Sequence, residues 1–209
     1  VNGNAMELES LEHAYLGRHD RIFAMTAEPD SEICAVPYDG KAKKSVKTMK
    51  YSGTAVESPL VYIPVFPGTN CDYDSAKAFR KAGAEVHLGV FCNQTPEDVL
   101  ESINRMKAEI DKTNILMLSG GFSSGDEPDG SGKFIASVLT NELIAKAIDA
   151  LLDRGGLILG ICNGFQALVK SGLLPYGRLG LVTKESPTLF RNDINRHISQ
   201  MVSTRVATT

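Results

Sequence analysis

No stretch of this sequence is apolar for anything near the ~20 residues that a helix needs to cross a bilayer. The amino terminus also lacks the order of a charged segment followed by an apolar one that marks a secretory leader, so the chain reads as cytoplasmic. An excess of one charge is missing too. Against 22 Lys and Arg stand 25 Asp and Glu, a net charge of -3 over 209 residues, which gives no electrostatic footprint for nucleic acid. The four cysteines, Cys34, Cys71, Cys92 and Cys162, form no Cys-x-x-Cys pair and have no histidine at ligand spacing. Neither a zinc site nor a disulfide framework is indicated, and free thiols in a reducing compartment are expected. A starting Met is absent as well. The chain opens at Val1 and stops at Arg205-Val206-Ala207-Thr208-Thr209 inside a strand-like run, so it reads as a piece of something longer.

What is present describes a globular protein, 43% apolar and 22% charged, long enough for one sizeable core plus an appendage. Residues 1–57 differ in character from the rest. Glu7 to Leu16 has the look of a short helix and Arg21 to Met25 of a short strand. Lys41, Lys43, Lys44, Lys47 and Lys50 form a basic run best read as a solvated linker face.

From Leu60 onward, short apolar runs alternate with amphipathic segments. The strands expected are Leu60 to Phe66, Glu85 to Val90, Ile115 to Leu118 and Leu157 to Leu159. Helices are expected over Asp72 to Ala82, after Thr95-Pro96-Glu97-Asp98, and as one long element from Phe134 to Arg154. Thr95 is placed as an N-cap, with a first-turn proline and two acidic residues behind it. Such alternation predicts an α/β fold, an open and mostly parallel sheet with helices on both faces, plus an N-terminal appendage. Ligands of such sheets sit beyond the carboxyl ends of the strands. Three loops gather at that edge: Pro67 to Asp72, Gly120 to Asp129 and Cys162 to Gln166.

The third of these loops is the most informative. Leu157-Ile158-Leu159-Gly160-Ile161-Cys162-Asn163-Gly164-Phe165-Gln166 runs from strand into helix through Gly-x-Cys-x-Gly. So tight a reversal crowds the backbone, and glycines two residues either side of the centre relieve contacts that a Cβ would create. Cys162 is thereby expected at the tip of a turn, facing solvent and the first amides of the next helix. A buried structural cysteine is the alternative. Ser119-Gly120-Gly121-Phe122-Ser123-Ser124-Gly125-Asp126 would bring backbone amides close to a ligand as an oxyanion hole, or else form a phosphate-binding turn or a plain loop. In Pro67-Gly68-Thr69-Asn70-Cys71-Asp72, either Asn70 or Asp72 is expected to cap the following helix. Cys71 is a weaker rival nucleophile because it lacks flanking glycines. A base for Cys162 is not evident among His13, His19, His87 and His197.

Together these residues resemble a class I glutamine amidotransferase, with its flavodoxin-like fold. More narrowly, Phe66 to Asp72, Gly120 to Asp126, Gly160 to Gln166, Leu189-Phe190-Arg191-Asn192 and Arg196 to Arg205 are similar to the amidotransferase domain of phosphoribosylformylglycinamidine synthase. The resemblance covers residues 58–209 and makes 1–57 the tail of a synthetase portion with its linker. It implies that Cys162 attacks the side-chain amide of glutamine and passes through a glutamyl thioester. It places the oxyanion between the backbone N–H groups of Gly121 and Asn163, with Gln166, Ser123 and Phe122 as substrate-binding residues. Glutamine and the synthetase domain are the implied partners. No cofactor belongs to this chain, and ATP and magnesium belong to the synthetase portion. The family's Ser-His-Gly-Glu-Gly type segment, which carries the triad His and Glu, has no match here, so the isolated chain is expected to hydrolyse glutamine poorly. A non-catalytic docking or regulatory module, and a thiol hydrolase or redox-responsive protein on the same elbow, are the competing readings.

Overall fold

A computed structural model describes residues 5–16, 56–122, 132–189, 192, 194 and 196–201. The expected strand at Arg21 to Met25, the lysine run at 41–50, Cys34, His19 and Ser123 lie outside the described residues. Met49–Phe190 forms one compact unit. Helix α1 (Leu8–Leu16) belongs to the other and is amphipathic by itself, with its first-turn Glu9 and last-turn His13 placed favourably for the helix dipole.

In the Met49–Phe190 unit, strands β1 (Leu60–Val65), β2 (Glu85–Val90), β3 (Ile115–Leu118) and β4 (Leu157–Gly160) form one parallel sheet in the order β2-β1-β3-β4. The chain moves one way from β1 to β2, then back past β1 to β3. The carboxyl ends of β1 and β3 therefore flank the point where the winding direction reverses, the place where open α/β sheets bind ligands.

The helices cover the two faces unequally. On one face, α3 (Pro96–Ile110), α4 (Lys133–Leu139), α5 (Glu142–Asp153) and α6 (Asn163–Ser171) close a core that includes Tyr62, Met106, Ile110, Leu116, Leu118, Ile148 and Leu168. Ile144, Ala147, Ile148 and Leu151 of α5 recur at helical spacing and are all buried. Each large member of this stripe contributes about 1.5–3 kcal/mol of transfer free energy. On the other face α2 (Asp72–Lys81) packs Ala76 and Phe79 against Val61, Ile63 and Met117. There Leu157, Leu159 and Ile161 of the β4 segment stay half exposed, while Ile158, pointing the opposite way, joins the larger core.

Tight packing also explains Gly89 inside β2. A Cβ there would lie 2.7 Å from Cε2 of the buried Tyr62 ring, so the strand leaves the ring its space. Beneath the carboxyl ends of the strands, Phe66, Phe91 and Phe134 form a triangle with ring centroids 5.5 to 6.0 Å apart, a firm apolar floor under the loops.

Two local expectations need correction. The single helix expected from Phe134 to Arg154 is two, α4 and α5, broken at Thr140-Asn141. The Asn141 backbone is extended (φ -59°, ψ 136°) and its side chain accepts from the Leu143 amide, while the Thr140 hydroxyl donates back to Ala136 and Ser137 carbonyls. Capping a new helix satisfies that amide, which continuous periodicity does not reveal. Asn141→Ala should lower stability by about 1 kcal/mol, read as a fall in the urea midpoint with unchanged slope. Nor does Asn70 or Asp72 cap α2. Cys71 holds the N-cap position with no side-chain cap bond, because Asn70 instead accepts from the Cys71 thiol at 3.1 Å and Asp72 is already the first helical residue. Thr95, by contrast, forms a full capping box with Asp98 and is followed by Pro96, as its sequence implies.

His87 lies within edge strand β2, between two carboxylates. Its Nδ1 is 2.8 Å from Glu109 and its Nε2 is 3.2 Å from Glu85. The Glu109 hydrogen bond holds the imidazole above its ordinary value of 6.5, and His87 in turn holds the Glu109 carboxyl below its ordinary value of 4.5. The raised group stabilises fully below about 6.5 and loses that contribution as pH climbs through its folded value. The lowered one stabilises above about 4.5 and loses it on acidification. His87→Gln should therefore flatten the decline in unfolding free energy above pH 6.5. The change is at most about 1 kcal/mol because the ring is well exposed.

Candidate active site

Cys162 has φ 52° and ψ -111°, and among the described residues no other non-glycine residue has a positive φ. Such a conformation costs on the order of 1–3 kcal/mol and persists only where neighbours enforce it. Gly160 and Gly164 are two of those neighbours. A Cβ on Gly164 would overlap the Leu118 carbonyl, 2.6 Å from its carbon, and one on Gly160 would stand 2.8 Å from the Gly164 carbonyl. The two glycines thus let α6 start directly against the end of β3. Cys162 occupies the N-cap position of α6, its thiol makes no cap bond, and its side chain is exposed, so the buried structural alternative does not hold.

The second loop meets Cys162 from the adjacent strand. Gly121, at φ 136°, forms an antiparallel bridge with Thr69, completed by Asn70 N–H donating to Gly120 O (3.3 Å) and Phe122 N–H donating to Gly68 O (2.9 Å). A Cβ on Gly121 would lie 2.9 Å from Thr69 Cα, so only glycine fits. The bridge uses the amides either side of Gly121. The Gly121 N–H itself makes no hydrogen bond among the described residues. A Cβ placed on Gly120 would come within 3.3 Å of Cys162 Cβ, so the paired glycines and the thiol share one small space.

The remaining expected residues fall into three groups. Asn163, the first residue of α6, is buried and its side-chain amide donates to Gln166 Oε1 at 3.3 Å, which fixes Gln166 in a half-buried position on the same turn. Phe122 is 78% exposed beyond the bridge, free of the apolar floor below. Ser123 lies outside the described residues. The β1–α2 loop is itself rigid: Thr69 Oγ1 accepts from Phe66 N–H at 3.1 Å, and buried Ser119 donates to Ser75 Oγ, whose hydroxyl donates to Cys71 O at 2.6 Å. Sequence reading placed the loop of Cys71 at this edge but missed the serine relay that braces it. Side-chain contacts between separate strand ends leave no periodic signal.

Among the described residues of this unit no histidine stands beside the thiol. His87 is the single histidine between Met49 and Phe190. It lies on β2, engaged by Glu85 of the same strand and Glu109 of α3, three strand spacings or about 14 Å across the sheet from β4. Among the described residues no group of three or more His, Cys, Asp or Glu could hold a metal ion, and no helix is long and apolar enough to cross a membrane.

An exposed, strained thiol at a strand-to-helix elbow, beside a glycine pair whose backbone is open to close approach, has the chemistry to add to a carbonyl carbon. Residues 58–209 match the model of the CobB/CobQ-like glutamine amidotransferase domain. The chain is 40% identical over 118 residues to phosphoribosylformylglycinamidine synthase subunit PurQ of Sulfurimonas denitrificans, covering 55% of this chain and 43% of that one. To the same subunit of Roseobacter denitrificans it is 35% identical over 146 residues, covering 70% and 53%. It therefore spans about half the length, or less, of these relatives. Among solved structures, PurLQS from Thermotoga maritima aligns at 32% identity with a TM-score of 0.40, over 56% of this chain and 46% of that one. With the family model matching most of its length, the chain belongs to the CobB/CobQ-like glutamine amidotransferase domain family.

Proposed function

We propose that this chain is the glutamine-hydrolysing portion of a phosphoribosylformylglycinamidine synthase. The observation that carries the reading is exposed Cys162, at φ 52°, set against the paired glycines at the neighbouring strand end, where a Cβ on Gly120 would lie 3.3 Å from Cys162 Cβ. The Cys162 sulfur adds to the side-chain carboxamide carbon of glutamine. Negative charge develops on the oxygen, between the N–H groups of Gly121 and Asn163, and donors fixed in advance stabilise that charge only as it forms. Collapse of the adduct breaks the C–N bond, releases ammonia and leaves a glutamyl thioester, which water cleaves to glutamate. Gln166, held by Asn163, and Ser123 and Phe122 on the facing loop orient the glutamine.

The ammonia serves the synthetase partner, which uses ATP and magnesium to amidate formylglycinamide ribonucleotide. Transfer out of contact with water keeps it unprotonated and nucleophilic. With His87 held by two glutamates and no match in this sequence for the segment that carries the family's triad His and Glu, proton transfer at Cys162 needs a base from outside this chain. Ammonia release from glutamine, measured for the chain alone and together with the synthetase, its ribonucleotide and ATP, tests the proposal. Slow release alone and Cys162-dependent release in the assembly are expected. Full turnover by the isolated chain would contradict the need for an outside base, and equal release by Cys162→Ala in the assembly would contradict the whole reading.

A further inference from the structure

The site holds a second thiol that the glutamine chemistry does not use. A Cβ built on Gly120 would lie 3.3 Å from Cys162 Cβ and 3.6 Å from Cys71 Sγ, so these two atoms are at most about 7 Å apart across a residue with no side chain. Both cysteines are exposed, whereas Cys92 is only half exposed. Cys71 sits at the N-cap position of α2 without capping it, and its thiol donates to the exposed Asn70 Oδ1. The backbone just before Cys71 is pinned to the glycine pair by the Asn70-to-Gly120 and Phe122-to-Gly68 hydrogen bonds, which keep Cys71 close to the Gly120–Cys162 contact. A change of χ1 rotamer moves a cysteine sulfur by about 3 Å, so side-chain rotation with a small loop shift closes the gap.

We propose that Cys71 is a resolving thiol for Cys162, so that peroxide converts the pair to a reversible disulfide instead of destroying the nucleophile. In the first step the Cys162 thiolate attacks a peroxide oxygen. An S–O bond forms, the O–O bond breaks, and hydroxide leaves to be protonated to water. In the second the Cys71 thiolate attacks the sulfenic sulfur. The S–S bond forms, the S–O bond breaks, and a second water departs. Two thiols and one hydrogen peroxide thus give one disulfide and two waters. Exposed thiols with a neighbouring partner are those that follow this course before reaching the sulfinic state. The disulfide depends only on geometry, while its effect on glutamine hydrolysis rests on the proposed function.

The test treats the intact chain with a small excess of hydrogen peroxide, blocks the remaining thiols and maps the peptides by mass spectrometry, before and after dithiothreitol. A Cys71–Cys162 linked peptide that dithiothreitol dissolves is expected. In Cys71→Ser, Cys162 should accumulate as sulfinic acid, and the Cys162 thiol recovered on reduction should fall by about fivefold or more. Absence of the linked peptide, linkage of Cys162 to Cys34 or Cys92 instead, or equal recovery in Cys71→Ser would overturn the proposal. None of these readouts uses glutamine, so failure of the glutaminase reading leaves them interpretable.

Discussion

Cys162→Gly should raise the stability of the fold while abolishing glutamine hydrolysis by the assembled enzyme. At φ 52° and ψ -111° a side chain is strained, and glycine adopts positive φ without that penalty. Part of the relief is offset by the greater entropy of glycine in the unfolded chain. The net gain expected is about 1 kcal/mol, or about 2–4 °C in Tm for a domain of this size. Activity should fall on the order of 10^4-fold or more, since no other group in the elbow can form the thioester. Cys71→Ser, one loop away, should change turnover by less than about tenfold because its thiol touches no reacting atom in the glutamine reaction. Opposite signs for stability and activity at one residue are the signature of strain retained for function. A loss of both would mean that Cys162 is held by packing instead.

Gly164→Ala should be among the most damaging of single-methyl additions. The new Cβ would fall on the Leu118 carbonyl, a backbone group of β3, and its own position is fixed by the backbone of α6. Neither can swing aside as a side-chain tip would, so α6 must lift from the sheet and carry Cys162 with it. Overpacking of this kind costs about 3 kcal/mol. Gly155→Ala makes the informative comparison. Its φ is 82° but open space surrounds it, so only the left-handed conformation is penalised, about 1 kcal/mol. Equal losses in the two variants, measured by urea denaturation, would show that the elbow is looser than the contacts imply.

How much of this was legible beforehand differed from element to element for physical reasons. Strands β2 and β3 have the bounds expected, β3 because Ile115–Leu118 is a continuous apolar run and β2 because Val86, Leu88 and Val90 alternate with Glu85, His87 and Gly89 at strand period. The elbow was legible because glycine at two fixed offsets from a cysteine has few other uses, and the structure shows what each glycine avoids. The break at Asn141 was not, since α4 and α5 keep one apolar stripe and a cap is decided by a single side-chain hydrogen bond. Expectations of helices on both faces hold for the described residues, although α2 alone covers one of them. The bridge between Thr69 and Gly121, and with it the approach of Cys71 to Cys162, depends on which strands become neighbours. Local sequence does not carry that information.

Adduct mapping after incubation with a diazoketone analogue of glutamine tests the central claim most directly. A single adduct is expected on Cys162, slowed by excess glutamine and absent from Cys162→Ala, with Cys71 and Cys92 unmodified. Modification of Cys71 in place of Cys162, or labelling of Cys162 that glutamine fails to slow, would contradict the assignment of this elbow as a glutamine site.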